Sequence, residues 1–473
     1  MAEAKDSILK NPELLPTTDD GRKMSLGDYT ILWAGMTINI VGFSLGAQYY
    51  NNGKGLSALT LVLVVLLGYG LVTAMTAMIG DIGTKYGIPF AAYIRAPFGY
   101  KGGSIAAVLR AIPALYWFGF LTWVGASALN YIMGMFISGF DNLTLMIILF
   151  GGLQILNAMY GLKAMAKFDW LAVPLLAILF AAIIVTITTK FGVSIPDIIA
   201  TPAEGQMSFA YAVAGIAGGW ITMALNGPDL SRQIKRDPDY ASQCFFRRNR
   251  RAFIGQFIGL MIVGVVLMLI GMAAGIVTGE WDLNKVCLLL FESRLSLVLA
   301  FIVIVFAQWS TNTAANLMPP TYILISLFPK LKYWSATVIA GVIGLGIMPW
   351  KIQSSGTFLV DVQVWISTML GPIMGIMLAD YFIIRKSQLN VHDLYTPNGQ
   401  YQYEGGYNIS AMIALISGFA LSFLSSSYAF FIGLVTSPII YVLLMRAYTL
   451  KKYDQKIGQS IELDMDKLGS STV

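Results

Sequence analysis

Between residues 295 and 329 the chain carries no charge, yet it places Gln308-Trp309-Ser310-Thr311-Asn312-Thr313-Ala314-Ala315-Asn316 in the middle of that run. The hydroxyls of Ser310 and Thr311 are hard oxygen donors, suited to an alkali cation when carbonyls released at a helix break join them. Their other use is to bond back onto their own helix. A second stretch, Trp117-Phe118-Gly119-Phe120-Leu121-Thr122-Trp123, supplies broad indole faces, and Trp220 follows Gly215, Gly218 and Gly219. Trp117 and Trp220 set face to face would sandwich a flat ring, although each is equally suited to packing in a core or against lipid.

What is missing narrows the chemistry further. The chain has one histidine, His392, and two cysteines, Cys244 and Cys287. Metal centres built from His/Cys clusters, Ser-His-Asp triads, histidine proton relays and disulfide frameworks all need more. Gly53-Lys54-Gly55 lacks the remainder of a phosphate-binding loop. No window sets a nucleophile beside a base, so no enzyme is expected.

The elements that position these residues follow from composition. Of 473 residues, 56% are hydrophobic and 12% are charged, with a mean hydropathy of +0.69. A water-soluble domain carries roughly a quarter charged residues, so this chain belongs in a bilayer. A membrane helix needs about 20 residues without uncompensated charge. Charge-free runs cover 29–53, 56–80, 111–140, 142–162, 170–189, 205–228, 252–279, 295–329, 333–350, 362–379 and 405–445. The last is too long for one span and holds Ser425-Ser426-Ser427 near its middle, which indicates a hairpin, and the total becomes twelve transmembrane helices.

Counted with the N-terminus inside, alternate segments hold 26 of the 31 Lys and Arg residues, leaving Lys54, Lys190, Lys285, Arg294 and Lys351 on the other side. Basic residues collect in cytoplasmic loops, so both termini are expected in the cytoplasm of a multi-pass cell-membrane protein. The basic pI then reflects topology, and nucleic acid is not an expected partner. Residues 1–28 read as a cytoplasmic tail and 447–473 as another. Arg247-Arg248-Asn249-Arg250-Arg251 reads as a topogenic cluster that meets anionic lipid.

Two spans look broken. The first contains Thr37-Ile38-Asn39-Ile40-Val41-Gly42 and Gly46; the sixth contains Gly215, Gly218 and Gly219 and ends in Asn226-Gly227-Pro228-Asp229. Spans one and six are equivalent if residues 29–190 and 205–382 form two five-helix halves. An odd number of helices per half makes the halves antiparallel, as in transporters whose site sits at the breaks. Residues 405–446 would add two further helices. The competing reading is plain close packing, because Gly42/Gly46, Gly215/Gly219, Gly255/Gly259 and Gly371/Gly375 all have GxxxG spacing. Asp361 opens the tenth span and lies nearest the membrane among outer acids, as a vestibule group, a proton acceptor or a solvated helix start.

Several segments together resemble the nucleobase-cation-symport-1 family, and within it the bacterial hydantoin transporters: Asn11-Pro12, Gly83-Thr84-Lys85-Tyr86-Gly87-Ile88-Pro89-Phe90, Arg95-Ala96-Pro97-Phe98-Gly99, Trp117-Phe118-Gly119, Trp309-Ser310-Thr311-Asn312 with Ala314-Ala315-Asn316, and His392-Asp393-Leu394-Tyr395. The resemblance runs from about the first helix to just past the tenth. It implies an all-α polytopic protein of the leucine-transporter fold, with two inverted five-helix repeats, two extra helices, and breaks in helices one and six. It also implies a sodium site on the carbonyls of Gly35, Ile38 and Ala307 and the hydroxyls of Ser310 and Thr311. A planar heterocycle would lie between Trp117 and Trp220, with Asn316 bonding a ring amide and Gly219 and Asn39 nearby. Two positions depart from the hydantoin-transporting pattern, which has Gln where Leu121 and Asn39 stand. Leu121 removes a polar contact at the ring edge, and an unpaired N–H costs ~1–3 kcal/mol, so a hydantoin is expected to bind poorly. The implied function is symport of a nucleobase or related ring (cytosine, uracil, purine, allantoin or hydantoin) with sodium, or with a proton in its place. No cofactor is expected.

Overall fold

The computed structural model describes residues 14–159, 162–328, 330–352, 355–396 and 399–461; the side chains of 162–170, Ser310, Thr311, Ala314 and Ser326 fall outside the description. Among the described residues the elements are helices, with isolated β-bridges and no strand. The first span is two helices, α1 (Leu26–Thr37) and α2 (Ile40–Tyr50), bent by 56° at the break between them. Then come α3 (Ala58–Tyr86), α4 (Tyr100–Phe136), α5 (Leu143–Met159) and α6 (Leu162–Lys190). The sixth span is α7 (Phe209–Leu225) with the short α8 (Gly227–Ser231) after Asn226. Helix α9 runs over Arg250–Thr278. Helix α10 (Arg294–Ala307) passes through a π-helical stretch, Gln308–Leu317, into Met318–Leu327. The chain continues in α11 (Tyr333–Gly346), α12 (Phe358–Leu378), α13 (Ile409–Ser422) and α14 (Ala429–Leu444).

Among the described residues seven helices are individually long and apolar enough to cross a membrane, and the bent first pair makes an eighth span. The four shorter apolar helices, α5, α7, α10 and α13, supply the rest of the twelve. Helices α7 and α10 are short because backbone irregularity interrupts them within the span.

Glycine contacts divide these helices into two groups. In the first, α2 lies directly on α9: a Cβ at Gly46 would meet the Met268 carbonyl at 1.9 Å, and one at Gly271 would meet that of Phe43 at 1.8 Å. Gly68 of α3 sits against Ile216 of α7, and Gly259 of α9 against the Thr30 carbonyl of α1. In the second group, Gly125 of α4 receives Phe150 of α5, while Gly119 of α4 and Gly341 of α11 abut Gly344 and Ile155. Spans one, two, six and seven thus pack together, as do three, four and nine, and span eight packs on span three. Corresponding members of the two halves share a group, as two inverted repeats require.

The structure chooses between two readings of the sixth span and corrects one expectation about helix ends. The glycines at 215–219 do not break the sixth span: α7 runs through them, and a Cβ at Gly218 would lie 1.8 Å from the Gln363 carbonyl of α12. Close packing is their role, and the break falls at Asn226-Gly227. The stretches 81–110 and 163–169, expected as loops, are largely helix, because α3 extends to Tyr86, α4 begins at Tyr100 and α6 begins at Leu162. A charge marks where an apolar run stops, whereas a helix continues wherever that charge finds a partner. Asp81 illustrates this. Fully buried at the end of α3, it accepts from Arg248 Nε at 2.7 Å, Arg248 Nη2 at 3.1 Å, Asn249 Nδ2 at 2.7 Å and Tyr381 Oη at 2.9 Å.

The segments rich in Lys and Arg share one face. Met24 bridges Ile234, Asn390 bridges Ile461, Lys85 Nζ donates to the Ser387 carbonyl, and Arg236 pairs with Asp19 at 2.6 Å. The Arg236 guanidinium holds the Asp19 carboxyl below the usual carboxylate range. Replacing one member of a buried ion pair strands the other, so Arg248→Ala is expected to lower stability by about 3–5 kcal/mol, read as a fall in the thermal unfolding midpoint in detergent.

Candidate functional site

A helix end leaves its last carbonyls without partners, and within a bilayer water cannot supply them. Asn39 addresses this at the break in the first span. Its Oδ1 accepts from the Gly42 N–H at 2.8 Å, capping α2, while its Nδ2 donates to the carbonyls of Met36 at 2.9 Å and Thr37 at 3.1 Å, closing α1. One amide therefore stitches two helix ends, and the carbonyl oxygens of Gly35 and Ile38 keep no hydrogen bond among the described residues. Gly35 faces Val173 of α6 at 3.5 Å, and α6 also packs on the π-helical stretch of α10. Ala307 is fully buried at the start of that stretch, which carries Ser310 and Thr311. A π turn departs from regular helical pairing, and the break in the first span holds backbone oxygen available to a cation. Among the described residues no cluster of His, Cys, Asp and Glu suits a metal ion, so neutral oxygen is what remains there.

Beside the break stand the aromatic residues. Trp117 is half-buried on α4, edge-on to Phe120 at 5.8 Å and Tyr116 at 5.3 Å. Trp220, half-buried on α7, tilts against Trp33 at 5.6 Å and meets Tyr69 edge-on at 6.4 Å. The two indoles are brought into the same interior by α4 and α7 but make no ring contact with each other among the described residues. Leu121 lies one turn from Trp117 on the same face of α4, also half-buried.

Asn316 is oriented by a buried chain of amides that sequence reading did not reveal. Asn312 is fully buried, and its Nδ2 donates to the Phe118 carbonyl at 3.1 Å, to Gln154 Oε1 at 3.1 Å and to Thr122 Oγ1 at 3.3 Å. A carbonyl only accepts, so this bond fixes which way the Asn312 amide faces. Its Oδ1 then receives Asn316 Nδ2 at 3.0 Å. Asn316, half-buried, is left with its own Oδ1 and one N–H for a ligand. Those two atoms form a donor and an acceptor side by side.

Three further polar residues, Gln154, Arg110 and Gln363, were missed, and Asp229 was named only as part of the sixth-span break. Gln154 belongs to the amide chain. Arg110, 7% exposed, lies on α4 about two turns from Trp117 and donates to the Thr222 carbonyl at 3.4 Å. Asp229, in α8, accepts from the Phe90 N–H at 3.1 Å. Gln363 of α12 is 3% exposed, and its Oε1 is buried without a partner. A stranded amide oxygen costs ~1–3 kcal/mol, so it calls for a reason. The signal for Gln363 was a lone amide in an otherwise apolar run. Asp361, by contrast, is held by Tyr211 Oη at 2.8 Å, Ser355 Oγ at 3.1 Å and Thr357 Oγ1 at 3.4 Å, tying the start of α12 to α7.

A family described as permeases for cytosine/purines, uracil, thiamine and allantoin matches residues 16–445. The chain belongs to this permease family. A hydantoin permease of Microbacterium maritypicum is 29% identical to it, over 93% of this chain and 89% of that one. An allantoin permease of Bacillus subtilis is 30% identical, over 94% and 95%. Among solved structures, the inward-facing conformation of Mhp1 superposes with a TM-score of 0.88 at 28% identity, covering 94% of this permease and 95% of that chain. Mhp1 in a closed conformation with bromovinylhydantoin bound gives 0.83 at 28% identity, covering 94% and 97%. This permease is therefore an all-α, multi-pass transporter with the leucine-transporter architecture expected from the sequence, and its relatives are transporters and not enzymes.

Asn39→Ala removes one cap and two carbonyl contacts at the break. Stability is expected to fall by about 1–2 kcal/mol, measured by thermal unfolding.

Proposed function

We propose that this permease imports a neutral planar heterocycle, a nucleobase or a related ring, by sodium symport through alternating access. The observation that carries the reading is the pre-set Asn316 amide, half-buried, in a protein whose indoles Trp117 and Trp220 are also half-buried and make no ring contact with each other among the described residues. A ring entering between Trp117 and Trp220 gains ~0.5–1.5 kcal/mol from each stack, and Asn316 fixes its in-plane direction. Gly219, before Trp220, leaves room for the Gln363 side chain; Leu121 presents an apolar edge; Asn39 shapes the break in the first span.

Sodium would take the carbonyls of Gly35 and Ile38, which keep no hydrogen bond among the described residues, together with the Ala307 carbonyl and the hydroxyls of Ser310 and Thr311 that the family resemblance implies. Held there, it ties the first span to the eighth, across the two packing groups. Whatever affinity sodium adds for the ring, the ring adds for sodium. A tenfold gradient supplies ~1.4 kcal/mol and one charge crossing ~100 mV supplies ~2.3 kcal/mol, enough to concentrate a neutral ring a few hundredfold. Proton coupling is the second reading, favoured by Asp361 and by Asp229 beside the break in the sixth span. The basic face, with both termini, is assigned to the cytoplasm on the distribution of Lys and Arg.

In proteoliposomes, labelled uracil or hydantoin is expected to accumulate against its gradient when sodium is imposed outside. Trp117→Ala abolishes saturable uptake, and Thr311→Ala raises the sodium concentration needed for half-maximal rate. Uptake driven equally well by a pH jump without sodium would transfer the coupling to the proton.

A further inference from the structure

The stranded Gln363 amide lies at the edge of the same site. A Cβ built on Gly219 would meet Gln363 Nε2 at 2.7 Å, Cδ at 3.1 Å and Oε1 at 3.3 Å, so the whole amide rests against the glycine that precedes Trp220. Neither amide atom has a hydrogen-bond partner among the described residues, and Oε1 is fully enclosed. The backbone beneath it is fixed, because Gly218 touches the Gln363 carbonyl. Helices α7 and α12 are thus in their closest contact where an unpaired amide is held, and an alanine at 219 would displace it. A buried polar group without a partner is uncommon in a folded protein, and the site one residue away is where a partner arrives.

Resting on the function proposed above, we propose that Gln363 is a specificity-determining residue that hydrogen-bonds one edge of the transported ring, while Asn316 bonds another. A primary amide offers a donor and an acceptor side by side, complementary to the –CO–NH– edge of a lactam. Asn316 has one such pair free and Gln363 has a second. The favoured substrate class is therefore a ring with two lactam edges, a cyclic ureide such as the hydantoin or uracil ring. Leu121 then faces an apolar edge of that ring. The polar contact that Leu121 does not make from α4 is made from α12, so the expectation that hydantoins bind poorly is replaced by its opposite.

Binding of hydantoin, uracil and their 1-methyl and 3-methyl derivatives to the purified protein in detergent, with sodium present, is followed by quenching of tryptophan fluorescence. Methylation blocks one N–H at a time. In the unaltered protein each methylation is expected to weaken binding about tenfold or more. Gln363→Met, close in volume and lacking the amide, weakens the parent ring about tenfold, abolishes discrimination against one methyl isomer and leaves affinity for that isomer unchanged. Gly219→Ala, which displaces the amide, gives the same pattern, and Asn316→Ala abolishes discrimination against the other isomer. Thermal unfolding of each variant confirms that it is folded. If folded Gln363→Met weakens parent and methylated rings equally, or changes none of them, Gln363 has no part in recognition. If the unaltered protein binds none of the rings, the transport reading itself is overturned.

Discussion

Inside a bilayer a backbone amide or carbonyl has no water to fall back on, and everything distinctive in this permease follows from how it meets that requirement while breaking a helix. Asn39 is the solution at the first span. Two helix ends need three hydrogen bonds, and a single short side chain supplies all three. The same economy defines what is left: two carbonyls, on Gly35 and Ile38, in a neighbourhood whose other polarity is uncharged. The π-helical stretch of α10 is the second departure from regular pairing, and the amide chain from Phe118 through Asn312 to Asn316 keeps it ordered.

Around these irregular segments the protein is two packed groups of helices. The contacts within a group are glycine-mediated and bring backbone against backbone, as at Gly46 and Met268 or Gly119 and Gly344. Helix α12, packed on α7 through Gly218, also reaches out with larger side chains: Phe358 meets Phe120 of α4 at 5.8 Å and Trp281 at 5.0 Å. Gln48 of α2 accepts from the Leu359 N–H at 2.9 Å. Side-chain contacts of this kind can be exchanged at little cost, whereas interlocked backbones cannot.

Span number, the break in the first span and the hydroxyl-rich eighth span were legible because lipid punishes charge and irregular backbone alike, and both are visible in a string of letters. The sixth break was placed only within 215–229 because a glycine that permits close packing and one that permits a break are the same letter; only the neighbour, Gln363 against Gly218, distinguishes them. Helix ends were set too early at Asp81 because a charge does not announce its partner, and Arg248 lies 167 residues away. The amide chain was invisible for the same reason: Gln154, Thr122, Asn312 and Asn316 come from three helices, and their order depends on which atom of each amide faces which neighbour. Gln363 was hidden by its isolation.

The interlocked glycines of α2 and α9 restrict how this molecule is able to move. With the carbonyls of Phe43 and Met268 each occupying the space a methyl group would fill on the opposite helix, neither helix can slide or turn against the other without collision. The second half of the first span must travel with the seventh as one solid piece. Trp220, pressed on Trp33 of α1, packs with the same piece. Trp117 belongs to the other. The gap between the two indoles therefore spans the two pieces, and a distance between probes at these positions would report how one moves against the other.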